Sequence, residues 1–213
     1  MKNVLASMAL ATVALLVGCT PDKITVTIPS SAVEKAKAGN LAYVKVRAVF
    51  SSTGRDSEGS MPKVKRVAMR HLGEGAEIEI DDGDFSSRLT ASFKIPFGKS
   101  MALANAPKSI LMLSMDDGGK IELKDGPGLN ALNYDLDDIE ASIEAEFNGG
   151  ETLFRFTGNS GSALHIQVIG AFANDKPIAL GDVRIDEDEE VIVRFNRSEG
   201  SIWHSLNPFV NLR

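Results

Sequence analysis

Gly98-Lys99-Ser100 and Ser60-Met61-Pro62-Lys63 are the places where residue type and spacing come nearest to a known chemistry. The first has the closing residues of a phosphate-binding loop. That loop also needs a glycine five residues before its last one, and Phe93 stands there, so the glycine-rich cradle is missing and the segment reads as a strand end. The second matches the Ser-x-x-Lys spacing of acylating enzymes and falls at an expected helix start. The Ser-Asp-Asn and Lys-Thr-Gly elements that complete such a site are absent, so Ser60 is expected in a loop and Lys63 at the opening of a helix. Gly158-Asn159-Ser160-Gly161 is one residue short of a nucleophile elbow, since position 162 is Ser162, and it reads as a turn.

Metal chemistry has a similarly thin basis. His71, His165 and His204 form no pair at ligand spacing, and each is expected to be structural. The carboxylates are more suggestive. Asp81-Asp82-Gly83-Asp84, Asp135-Leu136-Asp137-Asp138 and Asp186-Glu187-Asp188-Glu189-Glu190 each crowd acids into a turn. A hard cation such as calcium takes about six to eight oxygens. None of the three follows the twelve-residue calcium loop, and a solvated turn accounts for each. Asp186, Asp188 and Glu190 are the best calcium candidates, because a run of like charges repels itself unless neutralised.

Two segments could meet a surface. Lys63, Arg66 and Arg70 lie on the polar side of a helix expected from Pro62 to Leu72 and could rest on anionic headgroups, although a charged side turned to water is the favoured account. The C-terminal run Ile202 to Arg213 carries Trp203, the one tryptophan, and Phe209. These are the first candidates for a protein interface if the run does not dock on its own domain.

The elements that must position these residues read mainly as strands. Lys23 to Ile28 alternates strictly between polar and apolar, as does Ala42 to Phe50. Ser31 to Glu34 opens a short helix that Gly39 ends. Residues 51–60 read as a polar loop. Further strands are expected near 76–81, 87–96, 109–115, 120–124, 141–147, 151–157, 163–172, 177–185 and 190–196, with Asp116-Asp117-Gly118-Gly119 turning one hairpin. The turn residues at 124–128 make the best internal boundary. The fold class is therefore α+β and β-dominated, with antiparallel sheets and two short helices. Residues 19–125 form an α+β region and 126–213 an all-β, sandwich-like region, which can also share one sheet system.

Composition narrows the function. With 213 residues and 43% hydrophobic side chains, the chain can bury a sizeable core. A net charge of −6 argues against nucleic acid as a partner, and one cysteine allows neither an internal disulfide nor a thiolate metal cluster. The address lies at the start. Met1-Lys2-Asn3 is a positive n-region, and Val4 to Val17 is an uncharged apolar run of about 21 Å as a helix, short of the roughly 30 Å hydrocarbon core.

That run ends in Leu16-Val17-Gly18-Cys19, where the chain resembles bacterial lipoprotein precursors in all four lipobox positions. The resemblance implies that residues 1–18 are a signal peptide and that Cys19 becomes the acylated first residue of the mature chain. Several acyl chains on one cysteine make a firm anchor. It also implies the outer membrane facing the periplasm, because Thr20 rather than aspartate follows the cysteine. The layout is similar, too, to small lipoproteins carried by phages and other mobile elements, which would imply a role in excluding competitors. The expected function is that of a non-enzymatic, membrane-anchored factor in binding, envelope assembly or exclusion, working through an envelope protein partner and needing no cofactor beyond the lipid. The alternative is an envelope hydrolase or a calcium- or ligand-binding module.

Overall fold

The computed structural model describes residues 20–53, 57–82, 86–139, 145–147, 150–158, 163–195 and 209–213. Its elements run in the order β1 (Lys23–Pro29), α1 (Ser30–Lys37), β2 (Ala42–Thr53), α2 (Ser57–His71), β3 (Glu77–Asp82), β4 (Ser86–Gly98), α3 (Ser100–Ala104), β5 (Leu111–Met115), β6 (Ile121–Asp125), α4 (Leu129–Asp137), β7 (Glu151–Thr157), β8 (Leu164–Ala173), β9 (Lys176–Ile185), β10 (Glu190–Arg194) and β11 (Phe209–Leu212). The protein is α+β and β-dominated.

Local sequence explains most of these elements. The alternation of β1 turns Ile24, Val26 and Ile28 inward, all fully buried, and leaves Lys23, Thr25 and Thr27 on the other face. Each such buried side chain contributes about 1.5–3 kcal/mol. Helix α1 begins two residues earlier than its capping pattern suggests, with Pro29 rather than Ser31 as an extended N-cap, and packs Ala32, Val33 and Ala36 on the core. Helix α2 is also longer than expected. It starts at Ser57 and contains Pro62, so its first turn replaces part of the expected polar loop, while β2 takes Ser51 to Thr53. Two further helices, α3 and α4, raise the expected two to four among the described residues. The spacing of Leu129, Leu132 and Leu136, all buried, gives α4 one apolar stripe.

The strands form one sheet in the order β11-β8-β10-β7-β1-β2-β4-β5-β6, with β3 added to β4 and β9 to β8. It is mixed rather than antiparallel throughout, because β1 lies parallel to β7 and β4 parallel to β5. Parallel neighbours require a crossover, and the β4–β5 crossover carries α3. The sheet curls until its ends meet. Lys120, just before β6, bridges Asn211 of β11, and the Leu212 amide donates to the Gly119 carbonyl at 2.9 Å. The C-terminal half is thus no separate sandwich. Its strand β7 takes β1 of the first half as a neighbour, β11 closes on the hairpin before β6, and one buried core runs through both halves.

Closure depends on one backbone position. Gly119 has φ +85°, and a Cβ there would lie 2.3 Å from the Leu212 carbonyl oxygen. Gly39, with φ +80°, has open space around it. Gly119→Ala should therefore lower stability by about 2–3 kcal/mol, against about 1 kcal/mol for Gly39→Ala, which meets backbone strain alone. Urea denaturation of both variants tests this, and equal shifts would mean that the contact with Leu212 is not under strain.

Candidate functional site

The inward face of β1 is committed to the core, so its outward face decides what the sheet can present. Strand pairing extends that face into rows of side chains. One row crosses β3, β4, β2, β1, β7 and β10 as Glu77, Ser92, Arg47, Thr25, Leu153 and Arg194. A second reads Glu79, Thr90, Val49, Lys23 and Glu151. The third reads Lys94, Lys45, Thr27, Arg155 and Ile192. Neighbouring positions in a row sit about 4.8 Å apart.

This face is concave. A groove of about 860 Å³ runs over it, with Thr25, Thr27, Thr90 and Ser92 supplying hydroxyls and Leu153 and Ile192 the apolar contacts. Asn174 and Asp175, in the turn between β8 and β9, form one wall, and Glu77 and Glu79 of β3 form another. The lining contains no aromatic side chain, histidine or cysteine.

The charges divide the groove into unlike ends. At one end Glu151 lies between Lys23, at 3.7 Å, and Arg194, at 3.6 Å, while Arg194 also reaches Asp175 at 3.3 Å and stacks its guanidinium over Phe172 at 5.0 Å. That end neutralises itself. At the other, Lys45 and Arg47 have no ion pair among the described residues, and Lys94, just beyond the groove lining, stands directly opposite Lys45 across β2 and β4. Arg155 lies 3.5 Å from Glu190, yet its Nε is buried without a hydrogen bond, as is that of Arg194. The contact from Arg155 is therefore within ion-pair range but is poorly aligned.

The residues singled out from sequence lie elsewhere. Residues 1–18, Cys19 and Trp203 fall outside the described residues. Phe209 opens β11, pairs with Ile169 and has the Lys120 ammonium 5.2 Å from its ring centre, so it packs on its own sheet. Arg70 lies 3.6 Å from Asp135 of α4, which also bonds His71 Nε2 at 2.9 Å, while Lys63 and Arg66 are exposed on α2. The side chain of Ser60 is outside the description. Lys99 pairs with Asp117 at 2.9 Å.

The acidic run forms the turn into β10. Asp186 accepts from Arg184 Nε at 2.7 Å, Glu189 accepts from the Asp186 amide at 2.9 Å, Asp188 adopts φ +61°, and Glu190 faces Arg155. Two of its carboxylates thus lie within ion-pair range of an arginine, and a third accepts a backbone amide hydrogen bond. No group of three or more metal-ligating side chains converges among the described residues. Away from the groove, burial pushes the Lys37 ammonium below the ordinary lysine value, with Glu34 acting in the opposite direction, and Lys37 donates to the Arg213 carbonyl.

The alternation of β1 and β2 identifies Lys23, Thr25, Thr27, Lys45 and Arg47 as outward-facing from sequence. Nothing local places Arg155 and Arg194 beside them. Comparison with protein-family models, curated proteins and solved structures gives no match. Groove chemistry is therefore read from its own side chains: fixed cations and hydroxyl donors over a shallow polar floor.

Because the Glu151 ion pairs are partly exposed, Glu151→Gln should cost no more than about 1 kcal/mol in urea denaturation. A larger loss would show that the network is a structural element rather than a surface charge balance.

Proposed function

We propose that this protein is a lipid-anchored, non-enzymatic binding factor of the bacterial cell envelope. It is held through acylated Cys19, in the outer membrane facing the periplasm, and acts in assembly or exclusion by engaging an envelope protein. The lipobox Leu16-Val17-Gly18-Cys19, immediately ahead of β1, carries this reading. Geometry supports it in one respect. From Cys19 to Lys23 the chain can span only about 14 Å, so an anchor at Cys19 would hold the sheet close to the bilayer. Lys23 is also the first residue of the groove, so that polar surface would lie near the lipid headgroups. The floor of hydroxyls and cations suits recognition of a polar partner.

The test uses the full chain in its native envelope, labelled with palmitate, crosslinked, and compared with Cys19→Ser. The expected outcome is label on the wild type alone and a dominant crosslinked protein that is lost with the anchor. Absence of label would remove the anchoring reading, and absence of a partner above the Cys19→Ser control would remove the assembly reading.

A further inference from the structure

We infer that the Lys45 end of the groove binds a phosphate-bearing ligand. This site rests on the groove being the binding surface, and one charge arrangement there is uncompensated. Lys45 and Lys94 are exposed and directly opposite each other on adjacent antiparallel strands. Like charges in that position repel. Among the described residues neither has a carboxylate partner, and neither does Arg47, two residues along β2. The opposite end of the same groove, in contrast, matches Lys23 and Arg194 with Glu151 and Asp175. In a chain of net charge −6, acids are available to balance cations, and here they do not.

Chemistry narrows the occupant. The row Lys94, Lys45, Thr27, Arg155 spans about 14 Å, with a hydroxyl between its cations. Arg47 lies in the next row, flanked by Thr25 and Ser92. Two ammonium groups, two guanidiniums and three hydroxyls offer more donors than one carboxylate can accept. A phosphate accepts through several oxygens at once, and guanidinium meets it in a bidentate fork. Without an aromatic platform in the lining, a nucleobase or sugar ring has nothing to stack on, so recognition falls on the phosphate itself. Glu79 lies in the Lys23 row, and the acids nearest this end are Glu77 on β3, in the Arg47 row, and Glu190 beside Arg155. They confine a bound anion to the strip between Lys94 and Arg155.

Such a group could belong to an anionic lipid headgroup or to a soluble molecule. Isothermal titration calorimetry on the full chain in non-ionic detergent micelles separates the two. One arm titrates inorganic pyrophosphate. The other dopes the micelles with phosphatidylglycerol, with zwitterionic phosphatidylcholine as its reference. Saturable binding in either arm is expected, weakened at least tenfold by Lys45→Ala/Arg47→Ala and by less than threefold by Lys23→Ala at the self-neutralised end. Lys94→Ala provides a second variant at the same site, and all are exposed side chains whose folding can be checked by urea denaturation. Pyrophosphate binding assigns a soluble ligand, and phosphatidylglycerol binding alone assigns a headgroup. Failure of both probes, or equal loss in Lys23→Ala and the double variant, would overturn the inference. A partner captured through Cys19 alongside such a failure would leave the envelope reading intact, so the two fail separately.

Discussion

Strand β1 is paired on both edges, antiparallel to β2 and parallel to β7, and its three buried aliphatic side chains join the two halves of the chain. A strand covered on one face and bonded along both edges cannot slip by one residue without exposing Ile24, Val26 and Ile28 together. That locked register also fixes which polar residues stand side by side on the opposite face. Thr27 is set between Lys45 and Arg155, and Lys23 beside Glu151, by the same backbone bonds that hold the core. Packing and surface chemistry are thus two faces of one register.

A sheet that curls must manage its ends. Here the ends are joined by a glycine at the β5–β6 turn, where backbone meets backbone, while β3 and β9 lie against β4 and β8. Helices α1, α2 and α4 supply further core side chains, including Val33, Val67 and Leu132. The polar face is left open. Its cations and hydroxyls are held by strands rather than loops, so their spacing costs little to maintain and is available to a ligand without rearrangement.

An anchor at Cys19 would give this geometry a setting. With only a few residues between the cysteine and β1, a domain so anchored would have little freedom to leave the membrane surface, and the groove begins at Lys23, the first residue of β1. The proposed envelope role and the proposed phosphate site are compatible for that reason, although each rests on a different observation. The first draws on a four-residue motif and the second on a charge imbalance.

Period-two alternation in Lys23–Ile28 and Ala42–Phe50 depends on neighbours in the chain, so those strands and their outward side chains were legible directly. The Asp116–Gly119 hairpin was also legible, because glycine is needed for its positive φ. Helix α4 carries its period in Leu129, Leu132 and Leu136, but the turn residues Gly126-Pro127-Gly128 ahead of it read as a boundary and hide its start. The start of α2 was obscured by its polar composition and by Pro62. Parallel pairing of β1 with β7 had no local signal at all. It joins residues more than a hundred positions apart, and only the burial of both strands against a common core selects it. The resemblance of Leu16-Val17-Gly18-Cys19 to a lipobox likewise rests on consecutive residues and is read without a fold. The groove is the converse case: Arg155 and Arg194 join Lys45 and Thr25 on one face only when four strands, β2, β1, β7 and β10, are aligned, because hydrogen-bond register, not chain order, decides which side chains share a surface.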